Sequence, residues 1–360
     1  MAIEASVIIP TFGRPEKLCE CLGALAAQSL PSEMYEVIVT VDGQEPATLA
    51  AGEAAYARAN GRASLSFIEA PAGGKHLGPC HARNRAIAAA AGNTLVFFND
   101  DVVPDARCVE RHLYHQQEND GRAIIVGDSP WRVHSPDSVF SRMLRETSMV
   151  FFHDRMRREP AALSMDWGFR HAWMLNLSIN AESVRRVGGL FQVHQSYGRD
   201  DDELAFRLTR SLGLRVAWRP DALVEHNHSM TSREYIDREY RLGLGAPAFA
   251  MGASRCSLAM FGRDLLGTSE IARVRAACES NADTALRLRD WFLSLEHVAA
   301  ETVDESDITT AYNKHLPLKR WHWARGFVDG LSACGAYLAT CPAVSPSLGE
   351  STVPAVNDAC

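Results

Sequence analysis

Short apolar runs alternate with helix-spaced segments through the first third of the chain. Ser6-Val7-Ile8-Ile9 is rich in β-branched residues and closed by Pro10, which predicts a buried strand. Pro15 suits the first turn of a helix, and Leu18, Leu22 and Leu25 follow at helical spacing. Val37–Val41 predicts a second buried strand, stopped by Asp42-Gly43. An Ala-rich helix follows from about Pro46 to Ala59. Leu65–Ile68 predicts a third strand. The loop Ala72-Gly73-Gly74-Lys75 leads to a helix from about Cys80 to Ala91. Leu95–Phe98 predicts a fourth strand, which ends at Asn99-Asp100-Asp101.

Strands apolar on both faces and separated by helices imply an α/β fold with a parallel sheet covered on both sides. Ligands of such sheets bind outside the carboxyl ends of the strands. That rule gathers Pro10–Arg14, Asp42-Gly43, Gly73–Arg83 and Asn99–Asp105 at one edge. Ala123–Val126 predicts another strand, after which the alternation loosens. From about Gly127 to His228 short apolar runs mix with aromatics and histidines. Beyond about Arg233 the pattern is helical, as in Ile271, Val274 and Cys278. Leu242–Met260 is apolar but broken by Gly243, Gly245, Pro247 and Gly252, which predicts a buried helical pair. The tail from Pro342 has few large apolar groups and is expected to fray.

Composition narrows the function classes. The chain has 360 residues and a formal charge of −7, with no long basic run, so nucleic acid is not an expected partner. No apolar run reaches the length of about 18 residues that a membrane span needs. The first residues lack the pattern of a secretory leader. The expectation is a protein without a span, with peripheral membrane contact still compatible. Nine cysteines, an odd number with no CxxC pair or zinc spacing, suggest reduced thiols and a cytoplasmic location.

Four segments carry candidate chemistry. Asn99-Asp100-Asp101-Val102-Val103-Pro104-Asp105 places carboxylates after a buried strand, where they could hold a hard divalent cation or cap the next helix. Asp200-Asp201-Asp202-Glu203 fits a helix N-terminus, and crowded carboxylates also raise one another's pKa toward the range of a general base. In Glu225-His226-Asn227-His228 a strand would put both histidines on one face, as core, surface or metal ligands. Arg83 and Arg85, near a helix start, suit an anionic ligand or a solvated face.

In this order the segments resemble the family 2 glycosyltransferases of the GT-A fold, over about residues 5 to 230. The pieces are Pro-Thr-Phe-Gly-Arg, Val-Asp-Gly, Ala-Arg-Asn, Phe-Phe-Asn-Asp-Asp-Val-Val-Pro-Asp and Gly-x-Asp-Asp-x-Glu-Leu. The resemblance implies a Rossmann-like nucleotide-binding half (1–126), an acceptor half (127–234) and then a helical region (235–341) and a tail (342–360). It also implies inverting hexosyl transfer from a nucleotide-sugar donor, with UDP favoured, to a hydroxyl-bearing acceptor, with Mn2+ or Mg2+ as cofactor. Pro10, Thr11 and Arg14 would line the nucleotide pocket, and Asp42 would read the base. Arg83 and Asn84 would close over the nucleotide, and Asp100 would meet the ribose. Asp101 would be the metal-binding acid of the DXD motif, with His226 a further ligand. Asn176 would approach the donor sugar, and Asp201 would be the catalytic base.

The sequence departs from the family in two places. Asn99 stands where DXD has its first Asp, and Asp200 stands where Glu is common. No Gln-x-x-Arg-Trp motif accompanies Arg320-Trp321, which favours a single transfer over processive synthesis. Two rival readings remain. A nucleotidyltransferase should show a Gly-rich loop after the first strand, and Pro10–Arg14 has one glycine. A non-catalytic nucleotide-sugar-binding module would not need the acids at 200–203.

Overall fold

The computed structural model describes residues 2–70, 77–191 and 198–340. Strands β1 (Ala5–Thr11), β2 (Tyr35–Val41), β3 (Ser64–Glu69) and β4 (Thr94–Phe98) run parallel in the spatial order β3-β2-β1-β4. Helices α1 (Pro15–Leu25), α2 (Pro46–Arg58) and α3 (Pro79–Ala89) make the crossovers. Each begins with a proline, whose fixed φ suits the first turn and whose missing N–H would have no partner there. Leu18, Cys21, Leu22 and Leu25 bury one face of α1 completely. The expectation of strands buried on both faces holds for β1, β2 and β4. It fails for β3, which lies at the sheet edge with its serines and Glu69 near solvent.

The parallel sheet expected from the sequence is a mixed one. The chain continues through β5 (Val102–Pro104), α4 (Cys108–Glu118), β6 (Ala123–Asp128), α5 (Val139–Glu146) and α6 (His153–Arg158). Then come β7 (Asn176–Asn180), α7 (Ala181–Arg186), α8 (Asp200–Leu212) and β8 (Arg215–His226). Strand β7 inserts antiparallel between β4 and β6, β8 lies parallel to β6, and the three-residue β5 pairs antiparallel with β8. The full order is β3-β2-β1-β4-β7-β6-β8-β5. In β7, Asn-Leu-Ser-Ile-Asn has the alternation of a half-solvated strand. Its polar face is instead buried against α4, where His112 and Gln116 bond to Asn176 and Ser178.

Five helices complete the described residues: α9 (Ser232–Gly252), α10 (Ser254–Phe261), α11 (Thr268–Ser280), α12 (Ala282–Ser294) and α13 (Glu305–Thr340). Thr231 and Glu234 form a reciprocal cap at the start of α9. The apolar stretch 242–260 forms the expected helical pair, from the end of α9 and α10, but it is only partly buried, with Leu244, Met251 and Leu258 exposed. Helices α9 and α13 pack backbone to backbone. A Cβ at Gly243 would lie 2.0 Å from the carbonyl oxygen of Trp323, and one at Gly326 would lie 2.0 Å from that of Tyr240. Helix α5, from the second expected segment, gives Phe140 and Met143 to the helical core of Tyr235, Phe292, Leu318 and Trp321. The described cysteines are free thiols. No helix among the described residues is long and apolar enough to cross a membrane. The Gly73-Gly74-Lys75 loop and the tail from Pro342 lie outside the described residues.

Candidate active site

Strand β4 ends at Phe98, and the turn after it carries Asp100 and Asp101 into the sheet edge. The pairing of β5 with β8 then fixes what Asp101 meets. Val102 lies opposite His226, and the N–H of Asn227 donates to the Asp101 carbonyl at 2.8 Å. His226 and His228 therefore flank the Asp101 carboxylate. His228 Nδ1 lies 3.0 Å from Asp101 Oδ2, and His226 Nε2 lies 3.7 Å from Oδ1. One ligand atom from each of the three residues falls within 4.8 Å of the others. The two imidazoles stack at 5.4 Å, and Trp131 covers His226 at 4.4 Å.

This donor set fits a divalent cation. Asp101 Oδ1 and His226 Nδ1 are buried without a hydrogen-bond partner among the described residues. A buried, unpartnered acceptor is costly unless something else occupies it. Burial pushes the His226 imidazole down, toward the neutral form that can bind a metal. Burial alone would raise Asp101, but the two imidazoles and the Arg14 guanidinium outweigh it and hold the carboxyl well below its usual range. Arg14 spans both acids. It bonds Asp101 Oδ2 at 2.8 Å and also the Asp100 carboxylate. Asp100 is fully buried and accepts a 2.7 Å bond from Thr11. Its burial, with Asp101 beside it, pushes its carboxyl up to about 6.

The second acidic group starts helix α8. Three of its four carboxylates have a cation partner. Asp200 meets Arg83 at 3.4 Å, Asp202 meets Arg199 at 3.6 Å and Glu203 meets Arg207 at 2.6 Å. Among the described residues Asp201 has none, and accepts only the N–H of Asp202 at 3.0 Å. Burial, with Asp202 and Asp200 adjacent, pushes the Asp201 carboxyl up to about 8. Arg83 links the two acidic groups, because its other terminal nitrogen donates to Asn99 Oδ1 at 2.9 Å. A cleft of about 1660 Å3 joins them.

Of the residues singled out in the sequence, Arg14, Arg83, Asp101, Asp201 and His226 line this cleft. Pro10, Thr11, Asp42, Asn84, Asp100 and Asn176 are not among its lining residues. Pro10 and Thr11 are buried in β1 opposite Thr40 and Val41. Asp42 accepts the N–H groups of Leu77 and Gly78, which shapes the entry to α3. Asn84 bonds both ways to the backbone of Leu190. Asn176 sits in the core between His112 and the carbonyls of Asp128 and Ala222. The four acids form the first turn of α8, as a helix N-terminus was expected there, but no side chain caps that turn and Arg199 occupies the cap position. Two residues beside the Asp101–His226 pair were not among the expected site residues. His228 was visible as the strand neighbour of His226, whereas Trp131 had no local signal.

Residues 6–177 match the model of the family described as Glycosyl transferase family 2. The chain carries a family 2 glycosyltransferase domain. A validoxylamine A glucosyltransferase of Streptomyces hygroscopicus subsp. limoneus is 25% identical over 244 residues, covering 62% of this chain and 52% of the relative. An uncharacterized glycosyltransferase of Bacillus subtilis, YfnE, is 30% identical over 133 residues, covering 37% of this chain and 32% of the relative. The chain thus spans about half the length of the first of these relatives or less. In structure, the chain is similar to a mannosyltransferase of Pyrobaculum calidifontis, PcManGT, solved with GDP-Man and Mn2+. The TM-score is 0.60 at 18% identity, covering 92% of this chain and 88% of that one. The likeness establishes the fold of this family 2 domain as GT-A.

Proposed function

We propose that this chain is a metal-dependent, inverting glycosyltransferase that moves one sugar from a nucleotide-sugar to a hydroxyl acceptor. The observation that carries this reading is the pairing of two unlike acidic groups across one cleft. Asp101 with His226 and His228 is a set that could hold a cation, and Asp201 is a carboxylate with no ion-pair partner among the described residues and a raised pKa. A nucleotidyltransferase or a silent binding module gives no reason for the second group.

Asp101, His226 and His228 would hold the divalent cation. Bound there, it supplies positive charge to the diphosphate that leaves as the glycosidic bond breaks. Arg83 adds a fixed guanidinium between the two acidic groups. On the acceptor side, Asp201 takes the proton of the attacking hydroxyl as the new bond forms at the anomeric carbon. Arg83, Arg199 and Arg207 pair with the other three acids, so that among the described residues Asp201 is the acid of this group open to accept that proton. The bases to try first are uracil, from the family resemblance, and guanine, from the ligand of PcManGT.

Release of nucleoside diphosphate from a panel of UDP- and GDP-sugars, with and without Mn2+, tests the proposal. Turnover of at least one donor should require the cation and disappear in Asp101→Ala. No turnover of any donor, or turnover indifferent to EDTA, would overturn it.

A further inference from the structure

The cleft runs past Asp202 to a wall built by α9, α10 and α13. In a chain of net charge −7, this wall is cationic. Beyond residue 160, and outside the acids at 200–203, eight arginines and lysines line the cleft against one acid, Glu239. Arg263 and Arg273 are paired with Glu270. Arg199 and Arg238 lie close enough to Lys319 to repel its ammonium.

These three cations are poorly neutralised. Arg238 and Lys319 share the buried Glu239, at 2.8 and 3.7 Å. Among the described residues the ion-pair partner of Arg199 is Asp202, at 3.6 Å, and burial pushes that carboxyl upward. Burial also pushes the Lys319 ammonium down, and Arg238 and Arg199 add to this by repulsion. Three half-buried cations thus face two carboxylates, Asp202 and Glu239. An entering anion relieves the repulsion among the three cations. Arg199 is also held at φ 83°, a backbone region that costs a non-glycine residue energy. Its guanidinium lies over the Phe261 ring at 5.4 Å.

We propose that this wall binds a phosphate or diphosphate group on the acceptor, through Arg199, Arg238 and Lys319. The inference rests on the glycosyltransferase reading and names the acceptor's chemical class. Guanidinium forks match phosphate oxygens in geometry as well as charge. The site is on the acceptor side because Arg199 contacts Asp202, the neighbour of Asp201, whereas the donor's diphosphate belongs at Asp101, His226 and His228. Phe261 and Trp323, 5.8 Å apart on the same wall, give an apolar surface for a carrier chain.

Calorimetry on the full chain tests this, with saturating Mn2+ and UDP or GDP so that the donor subsite is already filled. The probes are glucose 1-phosphate, geranyl diphosphate and glucose. At least one phosphate-bearing probe should bind, weakening as salt is raised, and glucose should not. Arg199→Gln should weaken that binding about tenfold or more while the nucleotide's affinity stays within about twofold. Arg238→Gln should do the same if Arg199→Gln fails to fold. Preference for geranyl diphosphate indicates a lipid-linked acceptor, and preference for glucose 1-phosphate a soluble one. Equal binding of glucose, no binding of either phosphate, or no effect of the substitution overturns the proposal. So does equal loss of nucleotide affinity, which would give the cluster to the donor. Failure of the wild type to bind any nucleotide with Mn2+ would overturn the glycosyltransferase reading instead.

Discussion

The backbone N–H of Asn227 donates to the carbonyl of Asp101 across 2.8 Å, and this bond sets the imidazoles of His226 and His228 on either side of one carboxylate. Helix α4 and strands β6 and β7 all lie between these residues in the chain. Only the short pairing of β5 with β8 brings them together. The cation-binding set is therefore a property of the sheet edge and its register.

Two imidazoles and one carboxylate are softer donors than the all-oxygen sets that suit Mg2+. Nucleoside diphosphate should bind more tightly with Mn2+ than with Mg2+. His228→Ala should weaken the Mn2+-dependent part about tenfold or more, because it removes one of three protein ligands. Titration calorimetry of UDP and GDP with each metal checks this. Equal affinity in His228→Ala and wild type would leave His228 as a neighbour of the site only.

Asn176 separates the family's expectation from the packing seen here. Its amide donates to the carbonyls of Asp128 and Ala222 and its oxygen accepts from His112, all in the core. Asn176→Ala leaves those groups buried without partners, at about 1–3 kcal/mol for each one left unsatisfied. Thermal denaturation should show a clear loss of stability, with the donor KM little changed in the protein that remains folded. A raised KM at unchanged stability would return Asn176 to the donor site.

The first four strands and the helices between them were legible because short β-branched apolar runs alternate with helix-forming segments and proline marks each helix start. Strand β7 was not, since its polar face is satisfied by α4 rather than by water. Three residues are too few for β5 to show a period. The acids at 99–101 and 200–203 and the paired histidines were visible as local clusters. Sequence alone could not say that Arg199 would sit at the cap of α8 with a left-handed backbone, or that Asp201 would be the acid left without a cation.

Close approach of α9 and α13 makes Gly243 a test of how the cationic wall is held. A Cβ there meets backbone on α13, which cannot move aside as a side-chain tip would. Gly243→Ala should destabilise the chain by about 1–3 kcal/mol, as overpacking does. Urea denaturation measures it, and a change below about 0.5 kcal/mol, the range of ordinary surface substitutions, would mean that the two helices separate easily.

Asp201 is the residue on which the mechanism turns, and its pKa gives the test a sign. Burial and the adjacent Asp202 and Asp200 raise its carboxyl from an ordinary value of about 4 to about 8. A general base works only when deprotonated, so kcat/KM should climb with pH up to about 8, where it reaches half its limit, and level off above about 9. Folding stability should run the other way. The folded state holds this proton more tightly than the unfolded chain. Its contribution is complete below the ordinary carboxylate range and is lost as pH rises through about 8. Asp201→Asn should flatten that part of the ligand-free stability profile and lower kcat by ~100- to 10,000-fold, with nucleotide affinity retained. Asp200→Asn and Asp202→Asn, each of which breaks an ion pair with Arg83 or Arg199, serve as neighbours for comparison. Turnover by Asp201→Asn within about threefold of wild type, far inside that expected loss, would place the base elsewhere. A rate independent of pH between about 5.5 and 8 would place the titrating group outside the chemical step.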